Sequence, residues 1–349
     1  MNPLQKNKNR PVGPVFFILG VLFVVFFIAD LLLGSILIPV KQVFLAFFTS
    51  SETNESFRTI VFDFRLPKAL TAVFTGAALS LSGLQMQTVF RNPLAGPYVL
   101  GISAGATLGV ALFVLGFSSA FAFGIFSSTG AWSLALVAWA GSFLVMLLIL
   151  YVSARVNDIM TLLILGILFT SAVTAVVSIL QYFSNESMLK AFVIWTMGSL
   201  GSVTKSQLMV LAPAIIVGTF LAFLRIKDLN AFLLGEDYAR SLGVSIKTSR
   251  VIIFLSTSLL AGTITAFCGP IGFIGIAVPH ICRVIFKTAN HLVLVPAVIL
   301  TGSIVMLFSD IVSQLPGMQT TLPINSVTAL IGIPVIIWMI VKNRKFVSV

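Results

Sequence analysis

The chain has 349 residues, of which 58% are hydrophobic and only 9% charged, with a mean hydropathy of +1.11. This excludes an ordinary soluble domain, which has no use for so much apolar surface, and once membrane spans are placed no stretch is left over for one. The net charge of +11 comes from dispersed Lys and Arg without aromatic–basic interleaving, so it argues for an anionic lipid bilayer and not for nucleic acid.

A helix that crosses a bilayer needs about 20 apolar residues, because every backbone polar group must be satisfied inside the segment. Residues 1–13 form a tail carrying Lys6, Lys8 and Arg10. The first span, 14–38, is too long for a signal-peptide core and lacks a small-x-small cleavage site, so it is read as uncleaved. A loop is expected to follow at 39–65, polar over 49–59 and for that reason expected to be mobile there. Spans come next at 66–90, 96–117, 131–153 and 159–183. Residues 184–205, with Trp195 and several glycines, suit a short helix lying on the outer surface. The sixth span is 206–224, and a charged stretch occupies 225–250. The last four spans are 250–267, 272–287, 292–315 and 323–341, the first two of them short and interrupted by Gly and Pro. The expected fold is an all-α integral membrane protein of about ten transmembrane helices forming one transmembrane domain. Alternating strands are absent, which excludes a transmembrane barrel.

With ten spans and an inside N-terminus, the cytoplasmic set of basic residues is Lys6, Lys8, Arg10, Arg91, Arg155, Arg225, Lys227, Arg240, Lys247, Arg250, Arg283, Lys287, Lys342, Arg344 and Lys345. The outer set is Lys41, Arg58, Arg65, Lys68, Lys190 and Lys205. The larger set marks the cytoplasmic side, so both termini and the charged stretch are placed inside.

Gly101, Gly105 and Gly109 repeat at a spacing that lets helices approach closely in lipid, a helix-packing pattern. Gly76 and Gly83 in the second span, and Gly262 and Gly269 in the seventh, are pairs seven residues apart in spans of opposite direction. They hint at an inverted repeat of spans 2–5 and 7–10. Asp30 and Asp310 are read as structural acids near the outer span ends, and Cys268 and Cys282 as packing residues. No G-x-x-x-x-G-K-[ST], H-E-x-x-H or clustered metal-ligand motif occurs, so no metal site or catalytic constellation is expected.

The cytoplasmic stretch has its own local logic. Asp228 is placed to cap a short helix with Leu229, Phe232 and Leu233 at i, i+3, i+4. Gly235 breaks it, and Glu236 starts a second helix with Arg240 four residues on in the favourable order. Gly243 is placed to end that helix. Phe232, Tyr238 and Leu242 would then be available to a partner's groove.

Three long stretches resemble the FecCD-type permeases, membrane subunits of ABC importers for iron–siderophore complexes, haem and cobalamin. They are RLPKALTAVFTGAALSLSGLQMQTVFRNPLAGPYVLGISAGATLG (65–109), LLGEDYARSLGV (233–244) and GPIGFIGIAVPHICR (269–283). The resemblance implies ten spans per subunit, a homodimer with a path between its subunits, and location in the bacterial cytoplasmic membrane. It implies no cofactor in this chain, with ATP and magnesium on a separate ATP-binding cassette subunit. It assigns Gly235, Glu236, Ala239, Arg240, Leu242 and Gly243 to the segment seated on that ATPase. It assigns Arg65 and Lys68 to docking of an extracytoplasmic substrate-binding protein. Gln314, Thr321 and Asn325 stand where relatives often carry Arg, Glu and Gly, which removes one docking charge. Iron–siderophore is the first-choice cargo. The competing reading is an ion-coupled secondary transporter, which ten spans and a repeat would also suit.

Overall fold

The computed structural model describes residues 12–34, 38–43, 55–116, 131–156, 158–314 and 320–342. The charges of the tail, most of the loop at 39–54, and residues 117–130 lie outside them. Among the described residues all regular structure is helical: α1 (Val12–Leu32), α2 (Glu55–Val89), α3 (Ile102–Gly116), α4 (Ala131–Arg155), α5 (Ile159–Phe183), α6 (Glu186–Thr196), α7 (Lys205–Leu224), α8 (Ile226–Phe232), α9 (Glu236–Ser241), α10 (Ile246–Cys268), α11 (Ile274–Phe286), α12 (His291–Gln314) and α13 (Ile324–Lys342). Eight are long and apolar enough to cross a bilayer, and α3 and α11 are shorter apolar helices. Together they make the ten expected spans, with α6 the short helix expected within residues 184–205.

The boundaries differ from the sequence reading in places. α2 runs back to Glu55, so residues 55–65, expected in a loop, are helical. Its turn at Ile60–Arg65 widens to π geometry just before Pro67. Proline has no N–H to give a carbonyl one turn back, and a wider turn lets the helix continue past it. Span seven, expected to be short, is the full α10 of 23 residues, because the polar Ile246–Ser249 turn extends it. Local caps set other starts. Thr204 and Gln207 form a reciprocal capping box on α7. Asp158 caps α5, and the Thr161 hydroxyl with the Met160 and Thr161 N–H groups holds its carboxyl below the usual carboxylate range.

α2 and α10 are largely buried, whereas α1, α5, α7 and α13 are mostly exposed, so the first two are the axis of the bundle and the others its rim. Glycine allows the central crossings. A Cβ on Gly76 would lie 2.1 Å from the Gly302 carbonyl oxygen of α12, and one on Gly83 would lie 1.8 Å from that of Gly275 in α11. The contacts also repeat between halves. α2 packs on α12 and α11 as α10 packs on α4 and α3, and α3 meets α4 and α5 as α11 meets α12 and α13. Gly262, the counterpart of Gly76, faces Ser142 of α4. Gly269 departs from the pattern: it ends α10 at φ +76° against the Trp195 carbonyl.

Candidate coupling and docking sites

The polar contacts sort to the two ends of the bundle. At one end α8 and α9 form a two-helix elbow. Gly235 makes its corner at φ +101°, a conformation that strains any residue with a Cβ, and that Cβ would also meet the Arg91 guanidinium at 3.0 Å. Gly243, at φ +84°, closes α9 as a Schellman motif. Its N–H donates to the Arg240 carbonyl at 3.0 Å, and that of Val244 donates to Ala239 at 3.1 Å.

Two ionic expectations are corrected. Glu236 pairs with Arg250, accepting from its Nε at 3.1 Å and from its Nη2, while Arg240 is exposed. Arg250 is buried at the start of α10, and a buried guanidinium takes a carboxylate ahead of any solvated neighbour. Asp228 caps nothing: α8 starts at Ile226, straight after α7, leaving Asp228 in its first turn. Its carboxylate accepts from Arg225 at 3.1 Å and from the Ser249 hydroxyl at 2.6 Å.

The elbow is anchored by Leu229, Ala231, Phe232 and Ala239, buried in one cluster with Met86, Phe90, Leu162 and Phe254. Phe232, expected to be available to a partner, is 2% exposed, because its i, i+3 partner Leu229 shares the same inward face. The outward apolar residues are Leu234, Tyr238 and Leu242, at 62, 53 and 59% exposure, with Leu233 beside them. Beneath the elbow a cavity of about 870 Å³ is lined by Thr88, Arg91, Leu233, His280, Arg283 and Met339 among others.

At the opposite end, Arg65 is turned inward. Its Nη1 donates to the Leu31 and Leu32 carbonyls at 2.7 and 2.8 Å, closing the C-terminus of α1. Lys68 makes a 2.8 Å ion pair with the buried Asp310. Gln314 donates to the same carboxylate at 3.2 Å, and Asp30 is buried within electrostatic reach of Asp310 and Lys68. The exposed ion pair at this end joins Lys205 and Asp63. Asn325 accepts from the Gly272 N–H at 3.0 Å, tying α13 to the turn between α10 and α11. Gly105 and Gly109 face Gly141 and Val137 of α4, whereas Gly101, at φ +75°, caps α3 and faces Phe169. Sequence reasoning assigned no role to Asn325's side chain or to His291, whose partners are remote in sequence.

Residues 22–342 match the FecCD transport family. The chain belongs to that family. The hemin transport system permease protein HmuU of Yersinia pestis is 34% identical over 297 residues, 85% of this chain and 87% of the relative. The vitamin B12 import system permease protein BtuC of Salmonella typhi is 36% identical over 286 residues, 82% of this chain and 84% of the relative. A solved transporter described as of the metal-chelate ABC type, in an inward-facing conformation, superposes with a TM-score of 0.80 at 29% identity, covering 95% of this chain and 99% of that one. This FecCD member is therefore the permease subunit of an ABC importer and a multi-pass membrane protein. It is not an enzyme and not an ion-coupled secondary transporter. Permease subunits of this kind carry no cofactor.

Proposed function

We propose that this permease works as a homodimer in the bacterial cytoplasmic membrane and imports a metal chelate, an iron(III)–siderophore complex ahead of haem or cobalamin. Both termini and the elbow of α8 and α9 face the cytoplasm, and the whole chain is one transmembrane domain. The observation that carries the reading is the elbow itself. It has a buried anchor, a glycine corner, and an outer surface of Leu234, Tyr238 and Leu242 beside Asp237 and Arg240. Such a mixed apolar and charged surface on an aqueous loop suits a partner protein, here the ATP-binding subunit. ATP binding there moves the elbow, and differential contacts in two states alternate access to the path.

A second copy is proposed to face α5. This helix exposes a wide side carrying Thr170, Ser171, Thr174 and Ser178, each of which donates to the carbonyl four residues back. The hydroxyl protons are thus used internally, and the oxygen lone pairs point outward as acceptors for an N–H- and O–H-bearing chelate. At the outer end, Arg65 and Lys68 brace the surface that receives the binding protein.

The test is extraction from native membranes in mild detergent. A stoichiometric ATP-binding subunit should co-purify with two copies of this chain. The accompanying binding protein, titrated with a ferric siderophore, haemin and cobalamin, should bind the siderophore most tightly. Preference for haemin or cobalamin would overturn the siderophore assignment, and a chain that reproducibly purifies without an ATPase would overturn the coupling role of the elbow.

A further inference from the structure

The elbow is joined to the membrane helices by one continuous chain of side-chain hydrogen bonds. Asn230 of α8 accepts two bonds on Oδ1 from His291, the first residue of α12. One comes from the backbone N–H at 2.9 Å and one from Nδ1 at 2.8 Å. His291 Nε2 lies 2.8 Å from the Thr88 hydroxyl in α2, which is also 2.9 Å from the Leu84 carbonyl. Neighbours fix the sense of the chain. Asn290 Oδ1 accepts from the Leu292 N–H at 3.0 Å and from Asn230 Nδ2 at 3.1 Å, so the Asn230 oxygen is the atom that faces His291. Nδ1 therefore carries a hydrogen, and in the neutral ring Nε2 and the Leu84 carbonyl are alternative acceptors for the single Thr88 hydroxyl hydrogen. The imidazole is 1% exposed and has both nitrogens engaged, so its ring orientation is fixed from two sides.

We infer that His291 is a positioning residue that transmits elbow movement to α2. Three features support this. The chain begins on α8, the helix with the buried anchor, and ends on Thr88, which lines the cavity below the elbow. Directional hydrogen bonds resist sliding, which the apolar contacts of Leu229 and Phe232 do not. A buried imidazole with two fixed partners cannot lose one of them without leaving a polar atom unsatisfied, so α8, α12 and α2 are held to move together. This inference rests on the coupling role proposed for the elbow.

The test uses the complex purified with its own ATPase subunit and needs no cargo. Spin labels on cysteines placed at Leu94 and Ile340, both exposed near the cavity, report its width with and without ATP and vanadate. Thr88→Val and His291→Asn each cut the bond between ring and hydroxyl. Both should leave ATP hydrolysis intact and lower the population ratio of the ATP-shifted arrangement by about 3- to 30-fold. The double variant should be no worse than either single one, since both remove one link. His291→Gln, whose amide reaches the Nε2 position, should restore much of the shift. A full shift in Thr88→Val and His291→Asn would overturn the inference, as would loss of hydrolysis and shift in equal proportion. Glu236→Arg separates the two readings. If it abolishes the shift while the Thr88 and His291 variants keep it, the elbow couples and the chain of bonds does not. If it also shifts normally, the coupling role itself falls.

Discussion

Glu236 has two jobs that pull a mutant in the same direction. It begins the helix proposed to meet the ATPase, and it neutralises Arg250, which is buried at the start of α10. Glu236→Arg should therefore abolish uptake and also lower stability by about 1–3 kcal/mol, since the buried Arg250 loses its carboxylate partner while position 236 itself remains partly open to water. Thermal unfolding in detergent checks the second effect, and Glu236→Arg with Arg250→Glu should recover most of it. Recovery of stability without uptake would separate the ATPase contact from the ion pair. At the other end, Lys68→Met should destabilise by about 3–5 kcal/mol by stranding Asp310, and Lys68→Met with Asp310→Asn should recover much of that. A loss of binding-protein docking in Arg65→Glu should come with a lower Tm, because Arg65 closes the end of α1. The positive-φ corners at Gly235 and Gly243 were legible in the sequence, since few other residues suit them, whereas Gly101 and Gly269, read there as packing and repeat positions, also take positive φ. The partners of Glu236 and Asp228 were not: local spacing offers Arg240 and a cap, but the decisive groups, Arg250 and Ser249, arrive from another helix.

Most spans and their starts were legible because the bilayer sets helix length, whereas the starts of α2, α3 and α10 were not, because local turns, glycine and proline set them one residue at a time. The second span was expected to begin at residue 66, yet a π turn joins it to the helical residues 55–59 ahead of Pro67. The contact between α2 and α12 is the element-scale feature most open to test. Gly76→Val puts atoms where the Gly302 carbonyl already lies, so the helices must part, at about 1–3 kcal/mol or more. Gly20→Val in α1 has nothing within 4 Å and should be close to neutral. Equal melting temperatures for the two variants would refute the close crossing.

For the whole molecule, the main issue is what α5 faces, because that decides where the path runs. A helix turned to lipid and a helix turned to a second copy across a water-filled path look alike in an isolated chain: both are exposed. Ser171 lies at the middle of α5, at the depth where the two environments differ most. An arginine facing lipid there costs about 2.5–3.5 kcal/mol, whereas one facing water between copies costs little. Ser171→Arg should therefore assemble and melt like the unaltered protein, hydrolyse ATP with its partner, and fail to import because the side chain obstructs the path. In proteoliposomes the unaltered complex should keep importing in the presence of a protonophore and stop with vanadate, as expected of an importer driven by ATP through the proposed elbow contact. If Ser171→Arg melts well below the unaltered protein, α5 faces lipid and the path lies along another exposed helix, with α13 next to be tested.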